Sequence, residues 1–213
     1  MRFVTLALVA LTLPMAAAAQ DISKVNGAVS VAAGEHAGHV QAVNGSVTIG
    51  DGASVQSAET VNGAVELGAQ AQADHLRTVN GAIVLGQGAQ VRGSVESTNG
   101  AIDLNPGADV KGGLANVNGA IELRHARVGG SIETTSGSIT VGEDSQVGNG
   151  IIVHEQQGYG SNNRPPHVVI GPHAIVKGTL DFRRQVVLEV SDSAQIGPVK
   201  GATPQHFSGA APQ

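Results

Sequence analysis

Seven positions in this chain carry a side chain that can hydrogen-bond to copies of itself: Asn26, Asn44, Asn62, Asn80, Asn99, Asn118 and Ser136, each followed by glycine. The steps between them are 18, 18, 18, 19, 19 and 18 residues. A carboxamide offers two donors and one acceptor oxygen. Amides stacked about 4.8 Å apart, the spacing of neighbouring strands, can therefore bond into a continuous ladder. The chemistry expected of this column is structural: it satisfies polar groups at a turn that would otherwise be buried without partners. The glycine that follows is expected to adopt a turn conformation that a Cβ resists.

Other residues invite sharper chemistry. Of the eight histidines, His39 and His75 lie thirteen residues after a ladder Asn, with Ser57 at the same place in the repeat between them. That spacing puts the imidazoles about 9 to 10 Å apart, too far for one metal ion with bonds near 2 Å. His36 and His39 share a repeat but have no evident third ligand, so no metal site is assigned. Asp103 and Glu122 occupy equivalent positions in adjacent repeats, with Glu66 two repeats before Asp103 across Val84. Paired carboxylates can bind calcium or act as acid and base, but such sites need a cleft and only one long loop is available to build it. No catalytic residue and no cofactor is assigned. That loop, 154–167, holds Tyr159 and Arg164, residue types enriched at interfaces; they are the candidate partner contact, and an unstructured excursion is the alternative. A column of Thr60, Thr78, Ser97 and Thr134, read as exposed and interrupted by Asn116, is a weak match to an ice-binding surface.

These residues must be positioned by stacked units, because a fixed period near 18 marks a repeat architecture. After each glycine the chain alternates, as in Val61-Asn-Gly-Ala-Val-Glu-Leu-Gly68, with the period of two that signals a strand. Val29, Val47, Val65, Ile83, Ile102, Ile121 and Ile139 form one inward column, and Val31, Ile49, Leu67, Leu85, Leu104, Leu123 and Val141 its partner two residues on. From Val25, steps of six meet only aliphatic residues as far as Val91. Three such steps make one period, which predicts a triangular coil with one inward aliphatic on each short face. The extra residue of the middle coils falls at Arg92-Gly-Ser94, Lys111-Gly-Gly113 and Gly129-Gly-Ser131, where glycine allows a tight corner. The repeat pauses near Ile152 and resumes at Val168, which gives about nine coils over 20–201 and leaves 202–213 as a cap and flexible tail.

The start reads differently. Met1 and Arg2 precede a largely apolar stretch of eleven residues, Pro14 and a run of alanines, the pattern of a secretory signal peptide over 1–19. The stretch is too short to span a bilayer, and no other approaches that length. Its removal leaves eleven Lys and Arg against seventeen Asp and Glu, a net charge of −6 that disfavours nucleic acid and anionic lipid as partners. Cysteine is absent, so packing alone must hold an exported fold without disulfides. Aromatics at 2% and thirty glycines suit thin regular coils rather than a large globular core.

The phrases Thr60 to Leu67 and Thr78 to Leu85 resemble the β-strand repeats of a bacterial adhesin-type family, and Val169 to Leu180 is similar to the coils of bactofilins. Together these resemblances span about Val25 to Val199. They imply a three-sided parallel β-helix and no catalytic set. Right-handed winding is favoured by the crossover rule, with a left-handed hexapeptide-type helix as the alternative. A signal peptide departs from the cytoplasmic bactofilins. The reading is therefore an all-β, single-stranded parallel solenoid, exported to periplasm or exterior. Its expected role is non-enzymatic, structural or adhesin-like, with self-association through the N-terminal coil. A glycan or envelope-polymer binding module is the alternative, and a polysaccharide-active enzyme the third reading.

Overall fold

The computed structural model describes residues 19–156 and 164–212. Nearly all of the expected leader, and Tyr159, lie outside them. Every regular element among the described residues is a strand. Strands pair in parallel with the equivalent residues of the next coil, as Val47 with Val65 and Ile83 with Ile102. The chain is a β-solenoid of about ten turns. Gln205–Phe207 supplies the last rung, pairing with Val187–Ser191, where the sequence suggests a cap and tail.

The two inward columns after Asn-Gly are buried throughout, from Val29 and Val31 to Ile139 and Val141, and their seven strands belong to one ten-stranded sheet. Burying each Val, Leu or Ile stabilises by about 1.5–3 kcal/mol, a gain a single coil cannot realise because its neighbours supply the cover. The other two faces share a 16-stranded sheet. In the early coils they are one continuous strand of nine residues: His36–Asn44, Ser54–Asn62 and Gln72–Asn80. The backbone rounds the corner inside that strand, with adjacent Ser57 and Ala58 both buried. The next coil divides it. Val91 pairs with Ala73, 18 residues back, while Val95 pairs with Leu76, 19 residues back. The added residue lies in Arg92-Gly-Ser94 and splits the strand into Gln90–Val91 on a short face and Val95–Asn99 on a ladder face. Three separate faces thus begin only in the fourth coil.

The corner also corrects the series of sixes. Leu76 follows the inward Ala73 at a step of three rather than two, so the alternation changes phase: Leu76 and Thr78 point in, Arg77 and Val79 out. Every third member of the series therefore faces solvent, with Val25 65% exposed and Val43 and Val61 each 41%. Conversely, Thr60, Thr78, Ser97, Asn116 and Thr134 are buried. The column expected to be exposed is the inner lining of the ladder face.

Candidate ladder-face binding surface

The ladder-face corner is built on both sides. Outside, Nδ2 of Asn44, Asn62, Asn80, Asn99 and Asn118 each donates to Oδ1 of the preceding ladder Asn, at 2.9–3.1 Å. These amides are exposed rather than buried, so they satisfy one another and not an interior. The Ser136 hydroxyl accepts instead from Arg184 Nη1 at 3.4 Å. Inside, Thr60 and Thr78 hydroxyls donate to the carbonyls of Gly45 and Gly63 at 2.8 and 3.0 Å, Ser97 to Gly81 at 3.3 Å, and Asn116 Nδ2 to Gly100 at 2.8 Å. The signal for this inner column was present from the third repeat on: a small polar residue stands two places before Asn62, Asn80, Asn99, Asn118 and Ser136, where an outward stripe would have no reason to exclude large side chains.

Between the ladder and the outward column Gln41, Glu59, Arg77 and Glu96 runs the valine stripe. Val25, Val43, Val61 and Val117 are the exposed large aliphatic residues among those described, and all lie in this one line. Two shallow grooves follow it, of about 300 Å³ beside Val43, Val61 and Val79 and about 240 Å³ beside Thr98, Val117 and Thr135. Arg77 borders both. At the far end Glu133 accepts from the Ser131 hydroxyl at 2.9 Å and pairs with His154 Nε2 at 3.0 Å. The His154 hydrogen bond holds the Glu133 carboxyl below the usual carboxylate range. In this order the carboxylate stands between hydroxyl and imidazole, so the imidazole is not placed to take the hydroxyl proton.

The other candidates are placed as follows. Asp103 and Glu122 are cross-strand neighbours; burial, then Glu122, pushes the Asp103 carboxyl up. Arg124 grips both oxygens of Glu122, at 2.8 and 2.7 Å. His39 Nδ1 meets the Ser57 hydroxyl at 2.8 Å, which puts Ser57 between His39 and His75 as the spacing requires. No cluster of three or more His, Cys, Asp or Glu among the described residues is arranged to hold a metal ion. Arg164 is exposed at the end of the long loop. The base of that loop is tied by Arg184, whose Nη1 donates to Thr135 O at 3.1 Å and Gln156 Oε1 at 2.8 Å. No described helix is long and apolar enough to cross a membrane.

No family model, curated protein or solved structure matches this chain.

Proposed function

We propose that this protein is a non-enzymatic, exported structural component of the cell envelope, adhesin-like in use, that holds an extended envelope glycan along its ladder face. One observation carries the reading: the exposed large aliphatic residues fall in a single line, flanked by an amide ladder on one side and by charged and amide side chains on the other. Such a surface repeats about every 4.8 Å and offers hydrogen bonds at each step and apolar contact at most of them, with Thr98 standing between Val79 and Val117. Four valines fall well short of the roughly 800 Å² per partner that a stable pair of proteins buries. A long polymer making many weak contacts suits the stripe better than a compact partner. Glu59, Glu96 and Glu133 against Arg77, with the net charge of −6 that leader removal leaves, favour a neutral or amine-bearing polymer. The leader-like start supports export, and the adhesin-type repeat phrases support the structural role. Asp103 and Glu122, with Arg124 closed on the latter, give no support to a hydrolytic reading.

Co-sedimentation with insoluble cell-wall glycan tests this. The chain should pellet with the glycan, and a Val43→Glu, Val61→Glu variant, altered only on the outer face and still β-type by circular dichroism, should stay in solution. Equal pelleting of both, or of neither, would overturn the reading.

A further inference from the structure

The chain contains seven Asn-Gly pairs: six in the ladder column and Asn149-Gly150. Such a pair can cyclise without an enzyme, because glycine leaves its amide nitrogen open to attack the preceding carboxamide carbon. The reaction needs that N–H released from its hydrogen bond and the carboxamide free to turn. Five pairs are denied both. Gly27, Gly45, Gly63, Gly81 and Gly100 donate their N–H to the next coil's Asn carbonyl at 2.9–3.0 Å. The side chains of the same five, Asn26, Asn44, Asn62, Asn80 and Asn99, each accept from the next ladder amide.

Among the described residues Asn118 and Asn149 lack both the bond donated by the following glycine N–H and a bond accepted from a following ladder amide, although Asn118 Nδ2 still donates to Asn99 Oδ1 at 3.0 Å. After Asn118 the next coil offers Ser136, whose hydroxyl is engaged by Arg184. Thr134 Oγ1 there accepts from Gly137 N–H at 2.9 Å, and strand pairing stops at Asn116 with Thr134. Gly119 N–H therefore lacks the partner that its five counterparts have. Asn149 is exposed at a corner; its backbone N–H and carbonyl are bound by Gly130 and Gly178, while Gly150 N–H finds no acceptor.

We propose that Asn118 and Asn149 are sites of spontaneous deamidation and isomerisation, and that the ladder protects the other five. The glycine nitrogen gives its proton to solvent base and bonds to the Asn Cγ. The Cγ–Nδ2 bond breaks, and ammonia leaves with a proton from solvent. Water then opens either carbonyl of the cyclic imide, giving aspartate or isoaspartate with no change of oxidation state. Each event adds a negative charge. At residue 118 it also removes the donor to Asn99.

The full chain, incubated in mildly alkaline buffer, should be mapped by peptide mass spectrometry with isoaspartyl methyltransferase labelling. Label should accumulate at 118 and 149 at least about tenfold faster than at Asn62 or Asn80, the factor expected from the lost hydrogen bonds. In denaturant all seven pairs should react at similar rates. A Ser136→Asn variant, which lengthens the ladder by one rung, should slow residue 118 and leave 149 unchanged. Label appearing at Asn26, Asn62 or Asn80 as fast as at 118 and 149 in the folded chain would overturn the proposal, as would the same ranking in denaturant.

Discussion

At the scale of single residues, the glycine after each ladder Asn is required for space more than for dihedral angle. Gly45, Gly63, Gly100 and Gly137 do not have the positive φ anticipated for the turn. A Cβ on Gly63 would overlap the carbonyl oxygen of Gly45, and one on Gly100 that of Gly81. Gly63→Ala must therefore push two coils apart, at a cost of about 1–3 kcal/mol or more. Thermal unfolding should show a clear drop, and an unchanged midpoint would remove the close-approach argument. Asn116 gives the opposite sign. Its Oδ1 is buried without a hydrogen-bond partner, and its neighbours in the column are Ser97 and Thr134. Asn116→Thr keeps a donor for Gly100 O and removes the orphaned acceptor, so stability in urea should rise by about 1 kcal/mol.

At the scale of elements, the inner hydroxyl column matters more than the outer amide ladder, because unmade bonds are expensive only where water cannot replace them. Thr78→Val preserves shape and should cost about 1–3 kcal/mol; Asn80→Leu breaks two exposed bonds and should cost about 0.5–1.5 kcal/mol in all. The reverse order in denaturant melts would contradict this. The end of the ladder face also sets a pH response. Glu133 has a folded-state pKa below its unfolded value, so its contribution is present above the unfolded value and is lost as pH falls through the folded one. Glu133→Gln should flatten the acid limb of the stability profile and leave the neutral plateau lower. The strands and the two inward columns after Asn-Gly were legible in the sequence because alternation there is uninterrupted. The ladder face was not. The corner inside the nine-residue strands consumes one extra position between Ala73 and Leu76, yet the aliphatic residue met by the step of six, Val79, is a plausible core residue by type. The step of six hid the phase change, which only the small polar residues two places before the later ladder positions betrayed, and the valine stripe and the threonine column exchanged sides.

At the scale of the whole molecule, the shaft changes section along its length, from long bent strands in the first coils to three separate faces after Gly93. The stripe runs across both regimes, since the ladder-face register is kept while the inserted residue is absorbed at the corner beside it. Among the described residues, Gln20–Asn26 and Val29–Val31 end the two sheets at the N-terminal side. Edge pairing there remains the route proposed for self-association. Val29 and Val31 are core residues, so a test must alter the exposed Ser30. Ser30→Pro removes an edge donor while leaving both core valines in place, and should lower the sedimenting mass.

The ladder face as the polymer-holding surface is tested most directly by hydroxyl-radical footprinting of the chain with and without soluble cell-wall glycan. The glycan should protect Val43, Val61 and Val117 together, in a line along the shaft. Protection confined to Tyr159 and Arg164, with the valines oxidised at their free rate, would contradict the account and assign contact to the long loop.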